Sequence, residues 1–103
     1  MVSRGQIWAY EHPDRKRRPV LILTRDEIAA GIFDVIAVPA TSEIRGVPTE
    51  VELGIDDGMD RDCVLSLHNT LLAQKVFLTH RITTLSAARR TEVCHKLNYA
   101  TSC

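Results

Sequence analysis

Net charge is the first thing this chain lacks: 13 Lys and Arg are matched by 13 Asp and Glu. A neutral total argues against broad, sequence-blind binding to duplex DNA. Aromatic residues are scarce at 5%, so a core must be built from aliphatic side chains. No apolar run approaches the roughly 18 residues of a membrane span. The opening MVSRGQIWAY lacks the long apolar stretch of a signal peptide, so a cytoplasmic location is expected, with no membrane partner. Three cysteines, Cys63, Cys94 and Cys103, form no CxxC motif, and an odd number does not make a disulfide framework. Cys63 and Cys94 are expected as small core residues, and Cys103, the last residue, as loose. The histidines (His12, His68, His80, His95) are scattered without zinc-ligand spacing, so no metal site is expected. There is no phosphate-binding Walker loop, no GxSxG and no dinucleotide fingerprint.

Hydrophobic residues supply 45% of the 103 positions, enough for one packed core, and residues 1–103 are expected to form a single domain. Gln6 to Tyr10 alternates weakly and predicts a first strand. Pro19 to Thr24, PVLILT, is a nearly continuous apolar run, the pattern of a strand buried on both faces. Asp26 is placed to cap a short helical turn that Gly31 ends. Phe33 to Pro39 is a second Val/Ile-rich strand. In Thr49 to Leu53, TEVEL, Val51 and Leu53 should face the core. Cys63 to Leu67 predicts a fifth strand that continues irregularly toward Leu72. Val76 to Leu78 and Arg81 to Leu85 are short extended pieces. From Ser86, a good N-cap, a helix is predicted over Ala87 to Tyr99. Val93, Cys94, Leu97 and Ala100 lie on its inner face, and Arg89, Arg90, Glu92 and Lys96 mainly toward solvent. Short strands followed by one helix predict a mainly β fold with a small α component: a curved antiparallel sheet or barrel against a C-terminal helix.

The balanced charge is unevenly spread. Residues 1–18 hold five Lys or Arg against two acids, and residues 50–62 hold six acids against one Arg. A local basic patch is enough to attract nucleic acid. In Arg15-Lys16-Arg17-Arg18-Pro19, adjacent cations repel, and such a run is usually a solvated loop. Arg18 differs from its neighbours, because Pro19 restricts it to extended geometry and the following strand anchors its backbone. Thr41 follows Pro39 at a strand end, where a threonine ordinarily bonds nearby backbone. Here Ser42, Glu43 and Arg45 follow at once, a density of polar groups typical of a binding loop. His68-Asn69 ends the fifth strand within reach of a cleft. A guanidinium and a hydroxyl brought together by neighbouring strands can hold a phosphate and stabilise charge developing on it.

The segments RGQIWAY, RRPVLILT, VIAVPATSEIRGVPTEVEL, DRDCVLSLHNT and THRITTLS, in that order before a final helix, resemble the MazF/PemK family of type II toxin–antitoxin toxins. The resemblance covers nearly the whole chain. It implies an SH3-like small β-barrel with a C-terminal α-helix, usually a homodimer. It also implies a metal-independent endoribonuclease, without cofactor, that cuts single-stranded RNA, mRNA especially, to 2′,3′-cyclic phosphate and 5′-hydroxyl ends. It places the family's catalytic arginine on Arg18 and its catalytic threonine on Thr41, with Ser42 and Glu43 on the same loop. The expected partner is a MazE-like antitoxin with an acidic, partly disordered tail that folds onto the basic groove. Two departures bear on specificity: the loop before Arg18-Pro19 lacks the family's Gly-Ser-Glu stretch, and His68-Asn69 stands where an acid-Gln pair is common. The RNA sequence cut therefore does not carry over.

Cleavage of this kind requires a proton to leave the 2′-hydroxyl, charge on the phosphorane to be stabilised, and a proton to reach the 5′-oxygen. Arg18 suits the second role, being always charged and forked. Its pKa above about 12 makes it a poor base. Thr41 can donate to the phosphate. Glu43, Glu11, His12, His68, the substrate itself and water are all candidates for the base. Arg15, Lys16, Arg17 and Arg45 are candidates for tracking the RNA backbone, with steep salt dependence expected. Two rivals use the same fold: a DNA gyrase poison resembling CcdB, and a non-catalytic RNA- or peptide-binding SH3-like module. The polar end Thr101-Ser102-Cys103, with Arg18 and Thr41 both present, favours the ribonuclease over the first.

Overall fold

Apolar alternation and β-branched runs become seven strands in the computed structural model, which describes residues 1–102. Cys103 lies outside the described residues. The order is β1 (Gln6–Tyr10), β2 (Arg18–Ile22), α1 (Asp26–Ala29), β3 (Asp34–Thr41), β4 (Glu50–Leu53), β5 (Cys63–Ser66), β6 (Leu71–Gln74), β7 (Leu78–Thr84) and α2 (Ala87–Thr101). Every pairing is antiparallel. The sheet runs β4-β5-β3-β2-β1-β7, with β6 paired to β3. This is the mainly β architecture with a C-terminal helix that the pattern predicts. The sheet is open, however, not a closed barrel: β4 and β7 end the path with one neighbour each.

β2 is covered on both faces from Val20 to Ile22, as its continuous apolar run requires, and β3 from Ala37 to Ala40, whereas Ile36 nearer its start is exposed. Leu21, Val38 and Ala40 join Ile7, Val51, Leu65 and Val93 in one cluster. Val20, Ile22, Val35 and Ala37 join Tyr10, Ala73 and Leu78 in another. Val51 and Leu53 are buried as expected. α2 begins at Ser86, whose Oγ accepts the Arg89 N–H at 3.2 Å, and it buries Val93.

Four local expectations are revised. Asp26 does not cap α1, because its carboxylate accepts the Arg4 N–H at 2.7 Å. Cys94 is exposed, and its Sγ accepts from Arg4 Nη2 at 3.3 Å. The irregular continuation toward Leu72 is a turn followed by the separate strand β6, bonded to β3. The two short pieces near residue 80 are a 3₁₀ turn, Lys75–Phe77, and one continuous strand, β7.

The topology opens a gap where the site forms. β3 pairs with β2 from Ala37 to Pro39. On its other edge it pairs with β6 through Ala37, then with β5 at Ala40 and Thr41. Two prolines mark the change of partners. Pro39 stands where β6 has ended and β5 has not begun. Pro19 stands one residue past the last β2–β3 pair, Val20 with Pro39. Pro39 faces the other edge of β3, where it has no N–H to bond β6 or β5, and Pro19 has none to give Ala40, so the β2–β3 ladder stops at Val20 and Pro39 and a wedge opens beyond that pair.

Candidate active-site cleft

Arg18 and Thr41 flank the mouth of that wedge. Continuing the β2–β3 register past Val20 and Pro39 sets Pro19 against Ala40 and Arg18 against Thr41. All four line a cleft of about 570 Å³. Lys16, Arg17, Ser42, His80 and Ile82 also line it, as do Gly58, Met59, Asp60, Arg61 and Cys63. Cations outnumber the single carboxylate there, which favours an anionic ligand.

Thr41 does part of what an ordinary turn threonine does: its Oγ1 accepts the Glu43 N–H at 3.1 Å. That bond uses a lone pair and leaves the hydroxyl proton to be donated. The loop beyond is held by Glu50, which is buried. Its carboxylate accepts the N–H groups of Arg45 at 3.1 Å and Gly46 at 2.9 Å. Charge-assisted bonds of this kind are about twice as strong as neutral ones, so the exit of β3, and with it Thr41, is fixed from below.

The loop between β4 and β5 also lines the cleft, and it packs against β7, whose Thr83 hydroxyl donates to the Asp57 carbonyl at 3.0 Å. The loop's 3₁₀ turn, Ile55–Asp57, ends at Gly58 in the left-handed conformation, φ 92°. Asp57 ties this turn to α2: Arg89 Nε donates to Oδ1 at 2.9 Å and Arg89 Nη2 to Oδ2 at 3.4 Å. The Gly54 N–H donates to Oδ2 at 2.9 Å. Burial pushes the Asp57 carboxyl up, and the Arg89 and Gly54 bonds with the Arg89 charge more than reverse it, leaving its pKa lowered. Arg89 and Lys96, expected toward solvent, both bind back to the protein. Lys96 Nζ donates to the Glu50 carbonyl at 2.9 Å.

Of the residues singled out from the sequence, Lys16, Arg17, Arg18, Thr41 and Ser42 converge on the cleft. Arg15, Glu43, Arg45, His68 and Asn69 do not line it. Glu43 pairs with Arg45 at 3.4 Å, and His68 meets the Thr49 hydroxyl. Among the candidate bases, His12 packs edge-on against Phe77, with ring centroids 5.0 Å apart. Glu11 is engaged by the Thr79 hydroxyl and by Arg17 at 3.5 Å. The Thr79 bond is the main reason the Glu11 carboxyl lies below its ordinary value, followed, against desolvation, by the charges of Arg17 and His80.

Sequence reasoning missed Asp60, Arg61, Cys63 and His80 as cleft residues. The periodicity of β7 would have placed His80, had its two halves been joined. Cys63 is a thiol and not a nucleophile there: burial first, then Asp60, Asp57 and Asp62, push its pKa up. No group of His, Cys, Asp and Glu among the described residues is arranged to hold a metal ion.

Residues 3–101 match the family model described as PemK-like, MazF-like toxin of type II toxin-antitoxin system. The chain is 38% identical over 103 residues to the probable endoribonuclease MazF2 of Mycobacterium tuberculosis strain H37Rv, covering 99% of this chain and 100% of that one. It superposes on the solved Mycobacterium tuberculosis toxin MazF-mt6 with a TM-score of 0.86 at 29% identity, over 94% of this chain and 96% of that one. An endoribonuclease in complex with its cognate antitoxin, from a mycobacterial species, shares the fold. Its TM-score is 0.89 at 22% identity, over 99% of this chain and 96% of that one.

Proposed function

The chain belongs to the PemK-like, MazF-like toxins of type II toxin–antitoxin systems, and on that premise we propose that it cuts single-stranded RNA with Arg18 and Thr41. The observation that carries this reading is the placement of both side chains on one cleft, at the wedge where β3 leaves β2. In this reaction the RNA 2′-oxygen bonds to phosphorus and the bond from phosphorus to the 5′-oxygen breaks. The proton lost by the 2′-hydroxyl is matched by one gained at the 5′-oxygen, leaving a 2′,3′-cyclic phosphate and a 5′-hydroxyl.

Arg18 forks onto two phosphate oxygens and stabilises the charge that builds on them. Thr41 donates its free hydroxyl proton to the same group. Its hydrogen bond from Glu43 fixes its direction, so little orientation is lost on binding. Lys16, Arg17 and Arg61 attract the flanking backbone, and Ser42 stands beside Thr41 to contact it. No metal is required, because the arginine supplies the positive charge. The protein acts in the cytoplasm, and its antitoxin presents an acidic segment that takes the place of RNA on Lys16, Arg17 and Arg18.

The test is incubation of purified protein with a mixed single-stranded RNA in EDTA, followed by sequencing of the ends. Discrete fragments carrying 5′-hydroxyl ends are expected. Arg18→Ala and Thr41→Ala should fold normally and lose roughly 10²–10³-fold in rate, the usual effect of removing one transition-state donor. Intact RNA with the wild type, or wild-type rates in either variant, overturns the assignment.

A further inference from the structure

One wall of the cleft carries a closed ring of side chains that the cleavage chemistry does not use. Arg17 Nη2 lies 3.5 Å from His80 Nε2, and His80 Nδ1 lies 3.4 Å from Thr79 Oγ1. The Thr79 hydroxyl donates to Glu11 Oε2, and Glu11 Oε1 lies 3.5 Å from Arg17 Nε, which closes the circuit. Only one protonation state satisfies every link. Arginine has no acceptor, so Arg17 must donate and His80 Nε2 must accept. The Thr79 proton is committed to Glu11, so its oxygen accepts from His80 Nδ1–H. The ring so placed donates from Nδ1 and accepts at Nε2.

Adding a proton to Nε2 turns that acceptor into a second donor and sets two cations face to face. Both already line the cleft. An anion placed between them would accept from Arg17 and from His80 Nε2–H together. Resting on the reading of the cleft as an RNA site, we propose that Arg17 and His80 form a second phosphate subsite, which takes a phosphodiester flanking the scissile one.

Spacing separates the two subsites. His80 pairs with Ala9, and Ala9 pairs with Pro19. His80 thus lies two strand spacings, roughly 10 Å, from the strand that bears Arg18. That is a span a polynucleotide backbone crosses within a short run of nucleotides.

The charged groups around His80 are Glu11 and Arg17 from the β1–β2 connection, with Lys16, Arg18, Asp60 and Arg61 lining the same cleft and Arg81 next along β7. The Glu11 carboxylate is the stabilising charge for an imidazolium, and it stays ionised throughout the histidine range. An anion held between Arg17 and a protonated ring gains a second charged donor, so binding tightens as pH falls through the histidine range.

The test is the salt dependence of binding a labelled single strand with every sugar 2′-O-methylated, which no 2′-hydroxyl mechanism can cut. Each phosphate contact on a single strand contributes about 0.7 to the slope of log affinity against log salt. The wild-type slope should steepen by about that amount between pH 8 and pH 6, or roughly 2.6-fold in affinity per fourfold change in salt. His80→Gln should abolish the steepening. His80→Lys should show the steeper slope at both pH values. Arg17→Ala should flatten it at both.

Equal wild-type slopes at the two pH values, the same steepening in His80→Gln, or no binding at the lowest salt overturns the subsite. Cleavage of the matching all-ribose strand in EDTA, run in parallel, keeps the two ideas apart. Cleavage with a normal His80→Gln slope removes the subsite and leaves the nuclease. The expected slopes without cleavage remove the nuclease and leave a phosphate-binding cleft.

Discussion

Arg89→Ala should weaken the protein by an amount the Asp57 contacts define, and by less in acid. In the folded chain the Asp57 side chain is 10% exposed and that of Arg89 34%. One well-formed bond at 2.9 Å and a longer one at 3.4 Å join them. Hydrogen bonds to charged groups contribute about 1.5–3 kcal/mol. The partial exposure of the arginine and the poor second contact place this pair at the low end, so a loss of about 1.5–2 kcal/mol is expected. For a domain of this size that is a fall in Tm of roughly 6–16 °C.

The sign with pH follows from the lowered Asp57 pKa. A carboxyl whose folded value lies below its unfolded value, about 3.9, stabilises the fold fully above that unfolded value and loses its contribution as pH falls through the folded one. Thermal unfolding of wild type and Arg89→Ala should therefore differ most from pH 5 to 8 and converge below about pH 3. The loop tethered by Asp57 carries Gly58, Met59, Asp60 and Arg61 into the cleft, so the variant should also show a raised KM for RNA at neutral pH. A Tm within 2 °C of wild type at pH 7, or a gap that persists unchanged at about pH 2.5, would refute the reasoning.

Glu50→Ala removes the carboxylate that accepts from Arg45 and Gly46. Circular dichroism should show the fold retained, urea unfolding a loss of about 2–3 kcal/mol, and cleavage assays a drop in kcat as Thr41 loses its fixed support. Gly58→Ala meets two penalties at once, a φ of 92° and a new Cβ only 2.7 Å from Thr83 Cβ. Thermal melts should report a loss of at least about 1–2 kcal/mol, whereas Gly31→Ala, which meets no close neighbour, should leave the melting curve within 2 °C of wild type.

Local chemistry carried much of the fold into the sequence. β1 falls on Gln6–Tyr10 as its alternation indicates, and PVLILT is covered on both faces because no polar residue interrupts it. The placement of Arg18 and Thr41 on one cleft was legible for a similar reason: Arg18 precedes Pro19 and Thr41 follows Pro39 by two residues, both at strand ends, and adjacent strands bring their ends together. What stayed hidden depends on contacts distant in sequence. β6 exists because β3 offers it an edge some 35 residues earlier. β7 looked broken because Thr79, His80 and Arg81 are consecutive polar residues, all exposed, and show no apolar alternation. His80 was overlooked with it, since only the β1–β7 register carries it to the cleft. The cleft wall from Gly58 to Arg61 was equally invisible, because a contact between Asp57 and a helix residue 32 positions on decides where that loop lies.

The paired prolines at the wedge have a mechanical meaning. Neighbouring strands tend to zip shut whenever both can exchange amide bonds, and a fissure between them would ordinarily need a wedge of side chains to stay open. Here Pro19 cannot supply the amide hydrogen that closure onto Ala40 would use, and beyond it the two strands share no ladder. The fissure belongs to the bonding pattern itself, and a polynucleotide meets it already open.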